Sequence, residues 1–183
     1  MKARFIRYMA VWQWTISLVS ERLLAEGSSV IPDNISEDRL LEIQAGRFWI
    51  NLEACQAFFR TLLGNEEMHK SGDQEFWSWG DTKRSDALVV VRNGAVEYIG
   101  VRLDANEKDQ NLLEPLVEFA KNNALLFLVA ETDRLLRPDI EVVEAAFRQS
   151  RATLFCTSPE TFFADKDYLD GLNAEIEDKL GKM

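Results

Sequence analysis

Two apolar runs on either side of Asn93 and Gly94 predict a β-hairpin over residues 86–104. Valine, which fits a pleated surface, recurs in both runs, and the second run adds Tyr98 and Ile99. An Asn-Gly pair supplies the two positive φ angles of a type I′ turn. With a two-residue turn, Arg92 lies opposite Ala95, and both faces of the hairpin are then apolar. We therefore expect this hairpin inside a sheet that is covered on both faces.

The first third of the chain shows a different period, because its apolar residues recur every three or four positions. That spacing predicts helices. One stripe predicts a helix over about residues 4–25. The capping-box spacing that starts at Asn34 predicts a second helix, and an apolar face shared by Leu52, Cys55 and Phe59 predicts a third.

Residues 65–85 are polar and interrupted by glycine, apart from aromatic residues that include Trp77 and Trp79. The pattern predicts a long connection, and connections of this length are uncommon unless they are mobile or functional. Tryptophans in such a segment are typical anchors of protein interfaces, and Asp81 follows them closely. The alternative is that both rings lie under the sheet and cover the core.

After the hairpin, predicted helices and strands alternate. We expect a helix over about residues 109–121, a strand over 124–130, a helix that begins at Pro138, a short strand over 152–156 and a helix that begins at Ser158. Strands separated by helices are usually parallel and joined by right-handed crossovers. The strands of this half are therefore predicted to be mostly parallel.

These elements predict an α+β or α/β fold. A helical N-terminal third is followed by a mixed, mostly parallel four- or five-stranded sheet covered by helices. A chain of 183 residues is long enough for one sizeable core. We expect a single domain over 1–183, with a helical part over 1–64, the polar connection over 65–85, and the hairpin and βαβα part over 86–183.

The formal net charge of -10 favours a basic protein partner. Such a charge opposes binding to nucleic acid or to anionic membranes, so neither is expected as a partner. Most of the acidic excess lies in 86–183; solubility alone is the alternative explanation. The candidate partner-binding residues are the tryptophans of the connection and nearby acids, namely Trp77, Trp79, Asp81, Asp104, Glu107 and Asp109.

Two cysteines, Cys55 and Cys156, are too few for a disulfide scaffold and predict a reducing compartment. We expect the protein to be cytoplasmic. The basic residues near the N-terminus and the apolar stretch after them resemble a signal peptide, which leaves secretion as the alternative. Gln13 interrupts that stretch, and no small-residue cleavage site follows it.

Candidate chemistry is sparse, and no cofactor or metal is expected. Cys156 follows a predicted strand and precedes a predicted helix, where the helix dipole can activate a thiol. Together with Glu131 it forms the alternative ligand site. The carboxylates of Asp86 and Glu97 share a predicted face, but they are roughly 13 Å apart along the strands. That separation is too large for one metal ion, and His69 is the only histidine.

The sequence supports three hypotheses of different classes. The leading one is a non-catalytic acidic protein-binding domain, such as a bacterial immunity protein that neutralises a basic toxin. The alternative is a small-ligand-binding or hydrolytic α/β enzyme with its site at the ends of the parallel strands, near Asp104, Glu131 and Cys156. The third is a purely structural subunit. The sequence leaves the oligomeric state open.

Overall fold

The protein is built on an antiparallel sheet, seen in a computed structural model that describes residues 12–21, 50–106, 112–166 and 170–171. The strands are β1 Gln13–Ser20, β2 Glu66–Ser71, β3 Gln74–Gly80, β4 Asp86–Arg92, β5 Ala95–Asp104, β6 Leu125–Val129 and β7 Arg134–Leu136. The helices are α1 Leu52–Leu63, α2 Leu113–Asn122, α3 Ile140–Arg148, α4 Arg151–Thr157 and α5 Pro159–Ala164. The strand order across the sheet is β2-β3-β4-β5-β1-β6-β7.

The predicted fold class is wrong in two respects. Every neighbouring pair of strands in this seven-stranded sheet is antiparallel, so the sheet is not mostly parallel. The expected helical N-terminal third is also wrong, because β1 lies in the middle of the sheet. The helices of the described residues follow β1 in the chain, and most of them lie in the C-terminal half.

β1 is a buried strand with an alternating sequence pattern. It pairs with β5 on one side and with β6 on the other, and among its residues only Thr15 is partly exposed. Its apolar Trp14, Ile16 and Leu18 alternate with polar residues, which is the period of a strand. The helix was predicted because Trp12, Ile16 and Val19 also recur every three or four positions. The remainder of the predicted helix 4–25, and the helix predicted at Asn34, lie outside the described residues.

The segment expected to be a polar connection contains the hairpin of β2 and β3. Gly72 takes a φ of +61° between Ser71 and Gln74, which pair with each other. A glycine at the first position of a two-residue turn suits a type II′ hairpin. β3 in turn pairs with β4 along its whole length. The hairpin therefore extends the sheet outward and makes β2 its edge strand.

The hairpin predicted over residues 86–104 is confirmed as β4 and β5, with one change of register. Asn93 and Gly94 both have positive φ angles, and Arg92 lies opposite Ala95 as expected. A β-bulge then shifts the pairing between Val90 and Val91, because β5 contains one residue more than β4 at that point. Beyond the bulge, each residue of β4 faces a residue one position later in β5 than predicted.

The bulge gives Asp86 a different partner. Its predicted neighbour across the hairpin is Val101, whereas the observed one is Arg102. The Arg102 Nε donates to Asp86 Oδ1 at 2.7 Å, and this carboxylate raises the pKa of Arg102. The Asp86 carboxylate therefore serves as one half of a cross-strand ion pair.

Five of the predicted helices fall on described residues, and four of them are confirmed as α1, α2, α3 and α5. The strand predicted over 152–156 is wrong. That segment belongs to α4. The Ser150 Oγ accepts a hydrogen bond from the backbone N–H of Thr153 at 3.2 Å, which is the N-cap arrangement of a helix. The strand predicted over 124–130 is confirmed as β6, although it pairs antiparallel with β1.

α1 and α3 pack on one face of the sheet, here called the helix-covered face, which carries Trp14 of β1 and Trp79 of β3. Phe59 of α1 stacks on Trp79 with 5.4 Å between ring centroids. Phe147 of α3 contacts Trp14 at the same centroid distance. Alternate residues of each strand point to this face, so the apolar core runs beneath most of the sheet.

Candidate protein-binding edge

β2 is exposed along its whole length at one end of the sheet. Its six residues are mostly charged or polar, and none of them is a β-branched residue. The strand forms because Gly72 closes the turn and because β3 provides a paired neighbour. One backbone side of β2 faces β3, and the other side has no neighbouring strand in the described sheet.

The open side presents the backbone groups of alternate residues. Residues that flank a two-residue turn form a hydrogen-bonded pair, and such pairs alternate along an antiparallel ladder with pairs that are not hydrogen-bonded. Counting back from Ser71, we infer that Glu66, Met68 and Lys70 direct their N–H and C=O groups to the open edge. An incoming strand would bind to these groups.

The same three residues place their side chains on the helix-covered face. They lie opposite Trp79, Trp77 and Glu75 of β3. Met68 is 47% exposed and is the cross-strand neighbour of the half-buried Trp77. The edge therefore combines an apolar centre with an acidic residue before it and a basic residue after it.

Glu66 is fixed by two donors that belong to the interior of the sheet and to α1. Arg60 of α1 donates to both carboxylate oxygens at 2.9 and 2.8 Å. The indole Nε1 of Trp79 donates to Glu66 Oε2 at 2.8 Å. The hydrogen bond from Arg60, followed by that from Trp79, lowers the pKa of Glu66. The first residue of the edge strand is thus an oriented, ionised carboxylate.

Lys70 is oriented in a similar way at the other end of the strand. Its Nζ lies 2.7 Å from Glu75 Oε1, and the Trp77 Nε1 donates to Glu75 Oε2 at 3.3 Å. Hydrogen bonds from Lys70 and then Trp77 lower the pKa of Glu75. Both ends of β2 therefore carry charges whose side chains are already positioned.

The predicted partner-binding residues do not form one surface. Trp79 is 1% exposed, as the core alternative expects, whereas Trp77 is half-buried, packs against the margin of the core and lies across from Met68. Asp104 is buried, and its Oδ1 accepts a hydrogen bond from the Asn106 N–H at 2.8 Å. Asp81 is exposed, and its Oδ1 accepts from the Lys83 N–H at 2.8 Å. The remaining two, Glu107 and Asp109, lie outside the described residues.

The residues of the alternative ligand site lie near one helix rather than at parallel strand ends. Glu131, in the turn between β6 and β7, accepts a hydrogen bond from the Arg151 N–H at 3.1 Å, and burial raises its pKa. Cys156 belongs to the same helix, α4. Burial, followed by the negative charge of Asp104, raises the pKa of its thiol. A nucleophilic cysteine needs a lowered thiol pKa instead.

An open surface depression of about 250 Å³ lies between the tips of the two hairpins, and its lining includes Lys70, Asp73 and Asn93. Typical small-molecule sites are larger, about 300–1,000 Å³, and mostly apolar. The Arg92 side chain beside this depression interacts with Asp73 and Glu97 at 3.5 and 3.3 Å. Its charge is therefore partly neutralised by carboxylates of the chain itself.

Within the described ranges, no three His, Cys, Asp or Glu side chains are grouped so that they could hold a metal ion. In the same part of the chain, no helix has the length and apolar character needed to cross a bilayer. Comparison of the whole chain with protein-family models, with curated proteins and with solved structures gives no match.

The sequence reasoning missed the edge strand because β2 is polar. Two signals for it were present. Gly72-Asp73 is a turn dipeptide, and aromatic and polar residues alternate after it in Trp77, Ser78 and Trp79. A strand predicted over 74–80 would have implied a paired strand before the turn.

Proposed function

We propose that this chain is a non-catalytic protein-binding domain that binds an extended segment of a partner protein along β2. The observation that carries the proposal is the exposure of all six residues of β2 at the end of the sheet. In this mode of recognition, main-chain hydrogen bonds to an edge strand supply affinity, and alternate side chains supply specificity.

Met68 and Trp77 are the apolar contacts that we assign to the incoming strand. Met68 is exposed at the centre of the edge, and the half-buried ring of Trp77 lies across from it. Methionine and tryptophan are enriched where proteins bind one another. Of the two tryptophans in the sequence hypothesis, Trp77 is therefore the one retained, since Trp79 belongs to the core.

The partner we propose is a basic protein. The chain has a net charge of -10, and Glu66 and Glu67 begin the edge strand. Complementary charge accelerates association and selects among partners. A bacterial immunity protein that neutralises a basic toxin is the class of binder that we propose on this chemistry.

The test compares two substitutions at one position. Met68→Pro removes the backbone N–H that we assign to the open edge, and edge strands tolerate proline there. Met68→Ala removes most of the same side chain but keeps the N–H, so it is the matched control. Proteins that bind to the immobilised wild-type chain are identified first. The basic candidate among them is then purified and titrated by calorimetry with the wild-type chain, Met68→Pro and Met68→Ala.

We expect Met68→Pro to weaken binding about tenfold or more relative to Met68→Ala, because a main-chain hydrogen bond and the close approach of the incoming strand are lost. Binding should also weaken with added salt. Equal affinities of the two variants would overturn strand addition at β2. Retention of no basic protein would overturn the choice of partner.

A further inference from the structure

The charged and apolar residues of β2 are arranged in a self-complementary order. Glu66, Met68 and Lys70 follow one another on one face, with an acid first, an apolar residue in the middle and a base last. An antiparallel strand that fits this face needs the same order, because antiparallel pairing reverses it. β2 itself meets that requirement.

We propose that a second copy of this chain binds along the open edge, with the two β2 strands antiparallel and Met68 on the two-fold axis. The proposal rests on the proposed function, since it uses the same edge. A second copy would occupy this edge when no other protein is bound there. A second copy covers the edge, and a partner strand then has to displace it.

The register follows from the faces of the strand. Residues directly opposite each other in an antiparallel pair point to the same face. With Met68 opposite its own copy, Glu66 lies opposite Lys70 of the second copy, and Glu67 lies opposite its His69. The first of these pairs has opposite charges on the helix-covered face, and the symmetry axis creates it twice.

The backbone favours the same register. Glu66, Met68 and Lys70 are the residues that direct their N–H and C=O groups outward, so each pair in this register exchanges both main-chain hydrogen bonds. A shift by one residue would place side chains on opposite faces and would lose these bonds. The charge pattern and the hydrogen-bonding pattern therefore select one alignment.

The side chains are already oriented for this contact within one chain. Arg60 and Trp79 hold the Glu66 carboxylate, and Glu75 lies 2.7 Å from the Lys70 ammonium. Less side-chain freedom is lost on association when groups are preorganised. A single shared strand is a small interface compared with the 1,200–2,000 Å² or so of stable complexes. The association is therefore weak and depends on concentration.

The experiment uses two charge variants of the full chain, each studied alone and then mixed. Glu66→Lys gives a chain with two bases on this face, and Lys70→Glu gives a chain with two acids. Each variant alone places like charges opposite each other twice across the axis. In a mixed pair, every such position again holds opposite charges. Any effect of a variant on its own fold is the same alone and in the mixture.

Sedimentation equilibrium over a concentration series measures the dissociation constants at an ionic strength near 0.15 M. We expect the wild-type chain to dimerise, each variant alone to bind about tenfold or more weakly, and the equimolar mixture to recover most of the loss. Thr61→Lys, on an exposed position of α1, is the control for an added positive charge away from the edge.

The inference is overturned if the wild-type chain stays monomeric throughout the series, or if the mixture associates no better than the separate variants. The proposed function survives that result when a basic partner still discriminates Met68→Pro from Met68→Ala. Conversely, recovery in the mixture together with no salt-sensitive heterologous partner supports the self-association and overturns the proposed function. The two failures are thus distinguishable.

Discussion

The two edges of the sheet are protected in different ways. β7 has three residues, and Leu135 and Leu136 are only 6% and 5% exposed. β2 has six residues, all exposed, and its central Met68 is 47% exposed. Short and covered edges prevent strand addition by geometry, whereas charged side chains on a long edge select what can pair with it. The difference indicates which edge is available to another chain.

The chain immediately before each edge strand contributes to this difference. β7 follows a tight turn in which Asp133 has a positive φ of 52°, and Glu131 in the same turn is bonded to the N-terminus of α4. β2 follows Gly64, the C-cap residue of α1. The β7 edge is therefore tied to the helical layer, while β2 contacts α1 through the side-chain pair of Arg60 and Glu66.

The largest expected effect comes from truncating an apolar residue at each edge. Leu136→Ala should lower the free energy of unfolding by about 2–5 kcal/mol, because it leaves a cavity in a buried site. Met68→Ala should change it by no more than about 0.5 kcal/mol, since the side chain is mostly in water. Urea unfolding followed by tryptophan fluorescence measures both. Equal losses would show that the β2 edge is covered.

A smaller effect is expected from breaking ion pairs at the centre and at the edge of the sheet. Arg102→Ala leaves the buried Asp86 carboxylate without its main cation and should cost about 2 kcal/mol, less than a fully buried pair because the Arg102 side chain is 27% exposed. Lys70→Ala removes an exposed partner of Glu75 and should cost about 0.5 kcal/mol or less. Comparable values in urea unfolding would contradict this ranking.

The smallest effects concern the change of folding stability with pH, and this change should have opposite signs for a carboxylate at each end of the sheet. The pKa of Glu66 is lowered in the fold, chiefly by Arg60, so its contribution to stability is present above the usual carboxyl pKa and is lost as pH falls through the lowered value. Burial raises the pKa of Glu131, so the folded state loses stability as pH rises from the usual pKa through the raised value.

Glutamine substitutions isolate these two contributions. At neutral pH, Glu66→Gln should destabilise the fold, and the difference from wild type should shrink in acid. Glu131→Gln should stabilise the fold at neutral pH, because an amide oxygen can still accept from the Arg151 N–H without a buried charge, and this gain should also shrink in acid. Urea midpoints measured from pH 3 to pH 7 provide the check. If both substitutions changed stability in the same direction at neutral pH, the contrast between Glu66 and Glu131 would be refuted.

The parts of the fold that were predictable are those with local signals. Asn93 and Gly94 define their turn through their own φ preferences, so the hairpin around them was recognised. α1 was recognised because Leu52, Cys55 and Phe59 recur at a helical spacing on one face. The bulge in β5 was not predictable, because the pairing of Arg102 with Asp86 that accompanies it depends on residues sixteen positions apart.

The parts that were missed have patterns that also fit another structure. In β1, Trp12, Ile16 and Val19 match a helical spacing, although Trp14, Ile16 and Leu18 alternate with polar residues as in a strand. β2 is polar because it lies at an edge, and a polar segment between glycines has the composition of a loop. The short apolar run over 152–156 fits a strand or a helix equally well by periodicity, and the cap at Ser150 decides for the helix.

The position of the bulge determines where this chain tolerates a change of length. β1 pairs with β5 only from Ile99 to Asp104, so among the described strands residues 95–98 have β4 as their one neighbour. The additional residue of β5 lies in that stretch, where it leaves the pairing of β1 unchanged. Insertions at Asn93 and Gly94, such as a peptide tag or a spectroscopic label, would extend a projecting loop and leave the five central strands aligned.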